Sequence, residues 1–272
     1  MGSINWHVDL LAGLELLGQR FSLHTSGPFH LIYFENSQVA LNLISSGTAK
    51  LPEIYIELQD RYKHEGKHLF HLWEDIWNSR RAQVIGRLRS VLGLNTRVHG
   101  RQTSVSRISQ TEADTFLNAN HLMGTAKAKH RFALKKDGEI LAVACFSHLR
   151  NIDRNGVRYR SAELIRLATL SGYTVTGGFG KLLKYFIEAF RPDDVMSYAD
   201  RDWSQGLAYE RAGFQLVETT SPAVLWLDKD TLERIFDHRL PPDSRKESYM
   251  KLFNTGNLKY ILYLRSDNGY KG

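Results

Sequence analysis

The run Thr176-Gly177-Gly178-Phe179-Gly180-Lys181 constrains this chain most, because of what stands on either side of it. Upstream, RFALKKDGEILAVACFSHL reads as two strands around a Lys136-Asp137-Gly138 turn, and SAELIRLATL as a third, which makes an antiparallel meander. Downstream, Leu182, Leu183, Phe186, Ile187 and Phe190 recur on one side of a helix. Glycines let a backbone approach an anion, and the unpaired N–H groups of a first helical turn point at it, so the run suits a pyrophosphate. The GxxxxGK[ST] spacing of a Walker loop is absent, and a preceding antiparallel meander argues against a dinucleotide-binding crossover. Alone, GGFGK also fits a tight turn into a helix.

After this helix come a strand DVMSYAD, a helix from about Ser204 to Ala212, and strands FQLVE and AVLWL; in Tyr209-Glu210-Arg211-Ala212-Gly213-Phe214 the helix ends at the glycine and Phe214 opens the next strand. Meander, glycine-rich turn, helix, strand, YERAGF helix and strand together resemble the GNAT acyltransferase fold. The resemblance implies that residues Thr176, Gly177, Gly178, Phe179, Gly180 and Lys181 hold the pyrophosphate of acetyl-CoA or a related acyl-CoA. It also implies that Tyr209 returns a proton to the leaving thiolate. A phenol of pKa ~10 can hydrogen-bond or protonate a thiolate of pKa ~8.5; the alternative is a packing tyrosine.

The amino half reads differently. FHLIYFENSQVALNLIS suggests a hairpin turning near Glu35-Asn36-Ser37, PEIYIELQDRYKHEGK a helix stopped by Gly66, and HLFHLW a strand. Asn78 or Ser79 can cap a helix with Val84, Ile85, Leu88, Val91 and Leu92 on its apolar stripe and Gly93 at its end. A polar strand TRVHGRQTSVSRI follows, then a short helix capped by Ser109 or Thr111, and the domain boundary is expected near residue 108. A length of 272 residues with 42% hydrophobic content accommodates two cores. The lone cysteine, Cys145, cannot form an internal disulfide, and LAVACF reads as a buried strand. Neither a secretory leader nor an apolar run of membrane-spanning length is apparent, so a cytoplasmic, non-membrane protein is expected. The net charge of +7 favours an anionic partner. Seven arginines between Arg80 and Arg107 concentrate that charge; Arg80, Arg81, Arg87 and Arg89 lie on one helical stretch, as a DNA-binding patch or a solvated face.

A closer resemblance covers about residues 55 to 226. HLWEDIWNSR, FLNANHLMG, AELIRLAT, TGGFGKLLKYF and SYADRDWSQGLAYERAGF resemble phage proteins described as Hef-like homing endonucleases. The carboxyl half is also similar to phage Mom-type enzymes, a divergent GNAT branch that attaches an acyl-derived group to adenine in DNA. That likeness implicates His121, Arg166, Asp200 and Tyr209. Adenine N6 is a poor nucleophile, so His121 or Asp200 is the candidate base. Arg166 is the candidate partner for a DNA or cofactor phosphate or for Asp200, with a buried Arg166–Asp200 pair as the structural alternative. Leu122 follows His121 where those enzymes tend to place an aromatic. Trp203 can stack on a base or pack in its loop. His99, His130 and His148 read as ordinary histidines.

In the homing-endonuclease relatives the amino half is a very-short-patch-repair-like PD-(D/E)xK nuclease, whose acids and lysine hold a divalent metal. Here Tyr33 and Asn42 align with the two acids, while Glu74 and Asp75 read as an exposed pair before a helix, so no metal site is expected. The sequence therefore implies an α+β chain. Residues 1–108 form a degenerate nuclease-like α/β module able to grip DNA. Residues 109–272 form a GNAT-like mixed, mostly antiparallel sheet flanked by helices, with a C-terminal extension. The implied activity is transfer of an acyl-CoA-derived group to a nucleobase amine, adenine favoured. The alternatives are an inactive DNA-binding accessory and an N-acetyltransferase acting on a protein or small amine.

Overall fold

A computed structural model describes residues 5–154, 156–240 and 246–265. In chain order the first elements are α1 (Trp6–Glu15), β1 (Phe21–Ser26), β2 (Phe29–Phe34), β3 (Val39–Ile44), α2 (Pro52–His64), β4 (His68–Trp73) and α3 (Glu74–Val91). Then come β5 (Thr96–His99), β6 (Ser104–Arg107), α4 (Gln110–Asn120), β7 (His130–Lys136), β8 (Glu139–Phe146), β9 (Arg150–Arg154) and β10 (Val157–Thr169). The chain continues with β11 (Tyr173–Thr176), α5 (Gly178–Phe190), β12 (Asp194–Asp200), α6 (Leu207–Arg211) and β13 (Gln215–Thr219). It ends with β14 (Val224–Asp228), β15 (Arg234–Phe236), β16 (Tyr249–Phe253) and β17 (Asn257–Tyr263).

These elements divide into two compact units. The first holds residues 1–92, 200–205 and 219–257; the second holds 93–199, 206–218 and 258–272. The break falls between Leu92 and Gly93 rather than near residue 108, and two later segments return to the first unit.

The first unit runs α1-β1-β2-β3-α2-β4, with sheet order β1-β2-β3-β4. The first three strands are antiparallel, and β3 and β4 are parallel. The expected hairpin turn is present, with Asn36 at φ 56°. Tyr55, Leu58 and Tyr62 form the buried face of α2. Helix α3 starts earlier than expected, directly after Trp73, and breaks at Arg80 (φ −137°). Ser79 lies beside that break but donates to the Asp75 carbonyl (2.7 Å), so it does not act as a cap. AVLWL forms β14, which pairs with β15 and β16 in a small sheet of this unit.

The second unit is built on a sheet of order β13-β17-β12-β10-β8-β7-β6, with β9 attached to β10. Asp137 (φ 51°) and Gly138 (φ 85°) make the tight turn between β7 and β8, as their sequence requires. Strand β8 alternates between two cores. Ala142, Ala144 and Phe146 meet Leu182, Leu183 and Phe186 of α5; Val143 and Cys145 meet Ala113, Phe116 and Leu117 of α4. Helices on both faces explain why EILAVACF is nearly continuously apolar. Ser109 caps α4 in a reciprocal capping box with Glu112. The expected polar strand at 96–108 is in fact two: β5 pairs with β11 and β6 with β7. The aromatic strand β17 lies between β12 and β13, completing the sheet.

Candidate active site

Strands β10 and β12 create the opening. They pair in parallel at only four positions, Ser161↔Asp194 to Leu164↔Ser197, and then part although both continue. At the same point β10 shifts register against β8 between Leu164 and Arg166. This bulge changes the side-chain parity: Leu164 and Leu167 both face the α5 core, while Arg166 is paired with Cys145 of the α4 core. Backbone groups beyond Leu164 and Ser197 are thereby left without a β10–β12 ladder, able to pair with an extended ligand.

The glycine run feeds α5 as expected. Gly177 adopts φ 74° at the N-cap, where a glycine carries no steric cost. The first N–H groups of α5, at Gly178, Phe179 and Gly180, have no acceptor within the helix. A Cβ on Gly177 or Gly180 would meet nothing within 4 Å, so this surface is open, whereas one on Gly178 would meet Val175 at 2.7 Å. Thr176 is exposed. Lys181 departs from its expected role. Its amide donates to Gly177 O (3.1 Å), and its ammonium to the carbonyls of Gly100 (3.0 Å) and Thr103. It braces the run against the 100–103 turn instead of facing an anion.

Phe179 connects this run to Tyr209, edge-on at 5.9 Å. The Tyr209 ring also stacks on Tyr260 at 5.2 Å. Its hydroxyl accepts from Ser197 Oγ at 3.0 Å, and the same Ser197 hydroxyl lies 2.9 Å from Leu164 O. Ser197 therefore holds the phenol at the last paired position before the strands part. The sequence offered no sign of this residue beyond its alternation with Val195 and Ala199, which face the same core.

On the α4 side, Arg166 donates to Gly124 O (3.2 Å) and Ile165 O (2.9 Å). Burial pulls its guanidinium below the ordinary value, partly offset by Cys145, Glu163 and Tyr209. Gly124 closes the turn carrying His121, so these two expected residues share a neighbourhood. His121 Nδ1 accepts from the Met123 N–H at 3.0 Å. In the neutral ring the proton then sits on Nε2.

Asp200 belongs to the first unit. Its carboxyl is pushed up to about 7, first by burial and then by Asp202. Asp202 is buried and accepts from Trp73 Nε1 (3.0 Å) and Thr255 Oγ1 (2.5 Å). Asp75, read above as exposed, is 1% exposed and bound bidentately by Arg234 (2.6 and 2.8 Å). Asn42 is fully buried, its amide 3.3 Å from His71 Nδ1, and Tyr33 bonds Tyr62. Burial lowers the pKa of His71.

The expected DNA-binding patch is largely committed internally. Arg81 pairs with Asp9 and lies over the Trp77 ring, Arg87 donates to Trp203 O (2.9 Å), and Arg80 occupies the helix break. Arg89 is half-buried and also engaged. Trp203 is 7% exposed and stacks on Phe70, so it offers no face to a base. Cys145 is fully buried, its thiol pushed up to about 11 by burial. Among the described residues, no helix is long and apolar enough to cross a membrane.

No protein-family model and no curated protein matches the chain. Among solved structures, it is similar to a Bacillus subtilis acetyltransferase in complex with CoA, at 13% identity over 60% of this chain and 99% of that one, with a TM-score of 0.40. It is also similar to the ribosomal-protein-S18-alanine N-acetyltransferase of Escherichia coli (13%, 62% and 99%, TM-score 0.38). A GNAT family acetyltransferase from Elizabethkingia anophelis with acetyl-CoA bound gives 12%, 60% and 99%, with a TM-score of 0.37.

Proposed function

We propose that the second unit is an acyl-CoA-dependent N-acyltransferase of the GNAT type. The observation that carries this reading is the parting of β10 from β12 at a bulge, with the Tyr209 hydroxyl fixed at the opening by Ser197. The open backbone at Gly177 and Gly180 fits a pyrophosphate, because any side chain there would occupy the space an anion needs. Acyl-CoA supplies an activated thioester when bound. The chain's own residues do the rest: N–H groups at Gly178, Phe179 and Gly180 hold the anion, and Tyr209 donates to the departing sulfur. Arg166 and His121 present donors on the acceptor side, and as the C–N bond forms and the C–S bond breaks the proton shed by the amine passes to solvent water.

The acceptor we favour is a nucleobase amine in DNA, adenine first, reached by flipping the base out of the stack. The +7 charge supports an anionic substrate. The α1-β1-β2-β3-α2-β4 order, with β3 and β4 parallel, supports a nuclease-like first unit. Asn42 and Tyr33 at the positions of the acids make it a non-cleaving one. Asp200 serves that unit's carboxylate cluster rather than the transfer.

Gly180→Glu places an anion at the mouth of the cradle. It is expected to weaken coenzyme A binding at least 100-fold by calorimetry, equivalent to ~3 kcal/mol. Nucleoside mass spectrometry of DNA from cells expressing the protein then shows a mass-shifted nucleoside that this variant lacks. A shift on protein or small amines instead assigns an ordinary N-acetyltransferase; none anywhere removes the transferase reading. Tyr209→Phe keeps the stacking and loses the proton, so kcat is expected to fall ~100-fold at unchanged KM. A raised KM with kcat intact would make Tyr209 a packing residue.

A further inference from the structure

Away from the arginines of α3, the described residues hold a second concentration of exposed positive charge. Residues 157–161 of β10 pair with β9 before β10 meets β8, so β9 and β10 extend from the sheet as a two-stranded ribbon. Arg158 and Arg160 alternate on one face of it, both exposed. Exposed Lys127 and Lys129 lead into β7, Arg191 precedes β12, and Arg265 follows β17 with Nη1 3.3 Å from Arg158 O. All four belong to the sheet end where β10 begins, since Lys129 N bonds Phe146 O and Asp194 pairs with Ser161.

None of these six cations has a carboxylate within ion-pair distance among the described residues. Asp153, opposite Arg158, accepts from Gly156 N (2.9 Å), and Asp193 accepts from Arg160 N (2.7 Å). His130 senses the field: burial lowers its pKa first, and Lys129, Arg107, Arg131 and His148 lower it further. Like charges held together without internal compensation suit a polyanion.

We propose that this sheet end is a docking face for duplex DNA, with the β9–β10 ribbon lying in the major groove. A B-form major groove, about 12 Å wide, admits a two-stranded ribbon. The deep, narrow major groove of an RNA duplex does not. At about 3.3 Å per residue, Arg160 and Arg158 stand roughly 17 and 23 Å along β10 from Ile165. With about 3.4 Å per base pair, they reach phosphates some 5 to 7 pairs from a base held at the bulge. The choice of DNA deepens the acceptor reading above and rests on it. Docking is nonetheless measurable without transfer.

The test is anisotropy of a labelled 30-base-pair DNA duplex with the full chain, without acyl-CoA, against salt. Six contacts give a slope of log affinity on log salt near −5, and Arg158→Ala with Arg160→Ala brings it near −3.5. That double variant loses ~10- to 100-fold in affinity at low salt and binds coenzyme A as before. A slope unchanged in the double variant overturns the proposal. So does an RNA duplex of the same sequence bound as tightly as the DNA, or binding to phosphatidylserine vesicles without binding to the duplex. Binding as expected with no modified nucleoside sinks only the choice of acceptor, and leaves the docking face standing.

Discussion

Arg234→Met is expected to destabilise the first unit by about 3–5 kcal/mol, the cost of stranding one member of a buried ion pair. Asp75 is 1% exposed and receives two guanidinium hydrogen bonds, at 2.6 and 2.8 Å, while Arg234 lies 5.3 Å from the Trp73 ring centre. Burial alone would lower the pKa of Arg234, yet the bonds and charge of Asp75 raise it. Methionine keeps much of the packing and removes the charge, leaving a desolvated carboxylate. Adding Asp75→Leu removes that carboxylate too and is expected to recover most of the loss. Urea unfolding followed by tryptophan fluorescence reports the difference, because Trp73 is at the pair. A loss under ~1 kcal/mol would mean that water already screens the pair.

Asp200→Asn is expected to act in the opposite direction, stabilising the same unit at pH 8 by at least ~1 kcal/mol. The Asp200 carboxyl is raised from its ordinary value to about 7 by burial first and by Asp202 second, with the Asp202 N–H and Arg234 opposing. Between pH 4 and 7 the folded chain therefore holds a proton that the unfolded chain has released. Stability falls as pH rises through that window, at up to ~1.4 kcal/mol per unit, and levels off above about 7. Asparagine keeps the oxygen that accepts from Asp202 N (2.9 Å) and cannot ionise. Unfolding series at pH 5 and pH 8 test this: the variant should show a flatter dependence. A variant less stable at pH 8, or equally steep, would show that Asp200 is ionised and satisfied in the fold.

Turns and caps were legible because their causes are local: Asn36, Lys136-Asp137-Gly138, the Ser109–Glu112 box and the glycines before α5 each act within a few residues. The apolar stripe of α5 named its buried face for the same reason. Which sheet a strand joins is a long-range matter, so AVLWL gave no sign that it pairs in the first unit, nor LKYILYL that it inserts beside β12. Charge pairing is the least legible. Arg81, Arg87 and Asp75 look alike in sequence whether solvated or paired, and their partners Asp9, the Trp203 carbonyl and Arg234 lie 72, 116 and 159 positions away. Asp200 and Trp203 sit beside the YERAGF helix in sequence but belong to another core. Ser197 was invisible because a serine on a strand acquires its role only when a tyrosine twelve residues later folds back over it.

The interrupted path of the first unit matters during synthesis. Asp75 emerges from the ribosome well before Arg234, and at about 5–20 residues per second the 159 intervening positions take roughly 8 to 32 s. For that time the nascent α3 carries a carboxylate with no counter-ion, so the amino-terminal unit must finish maturing after most of the polypeptide has been made.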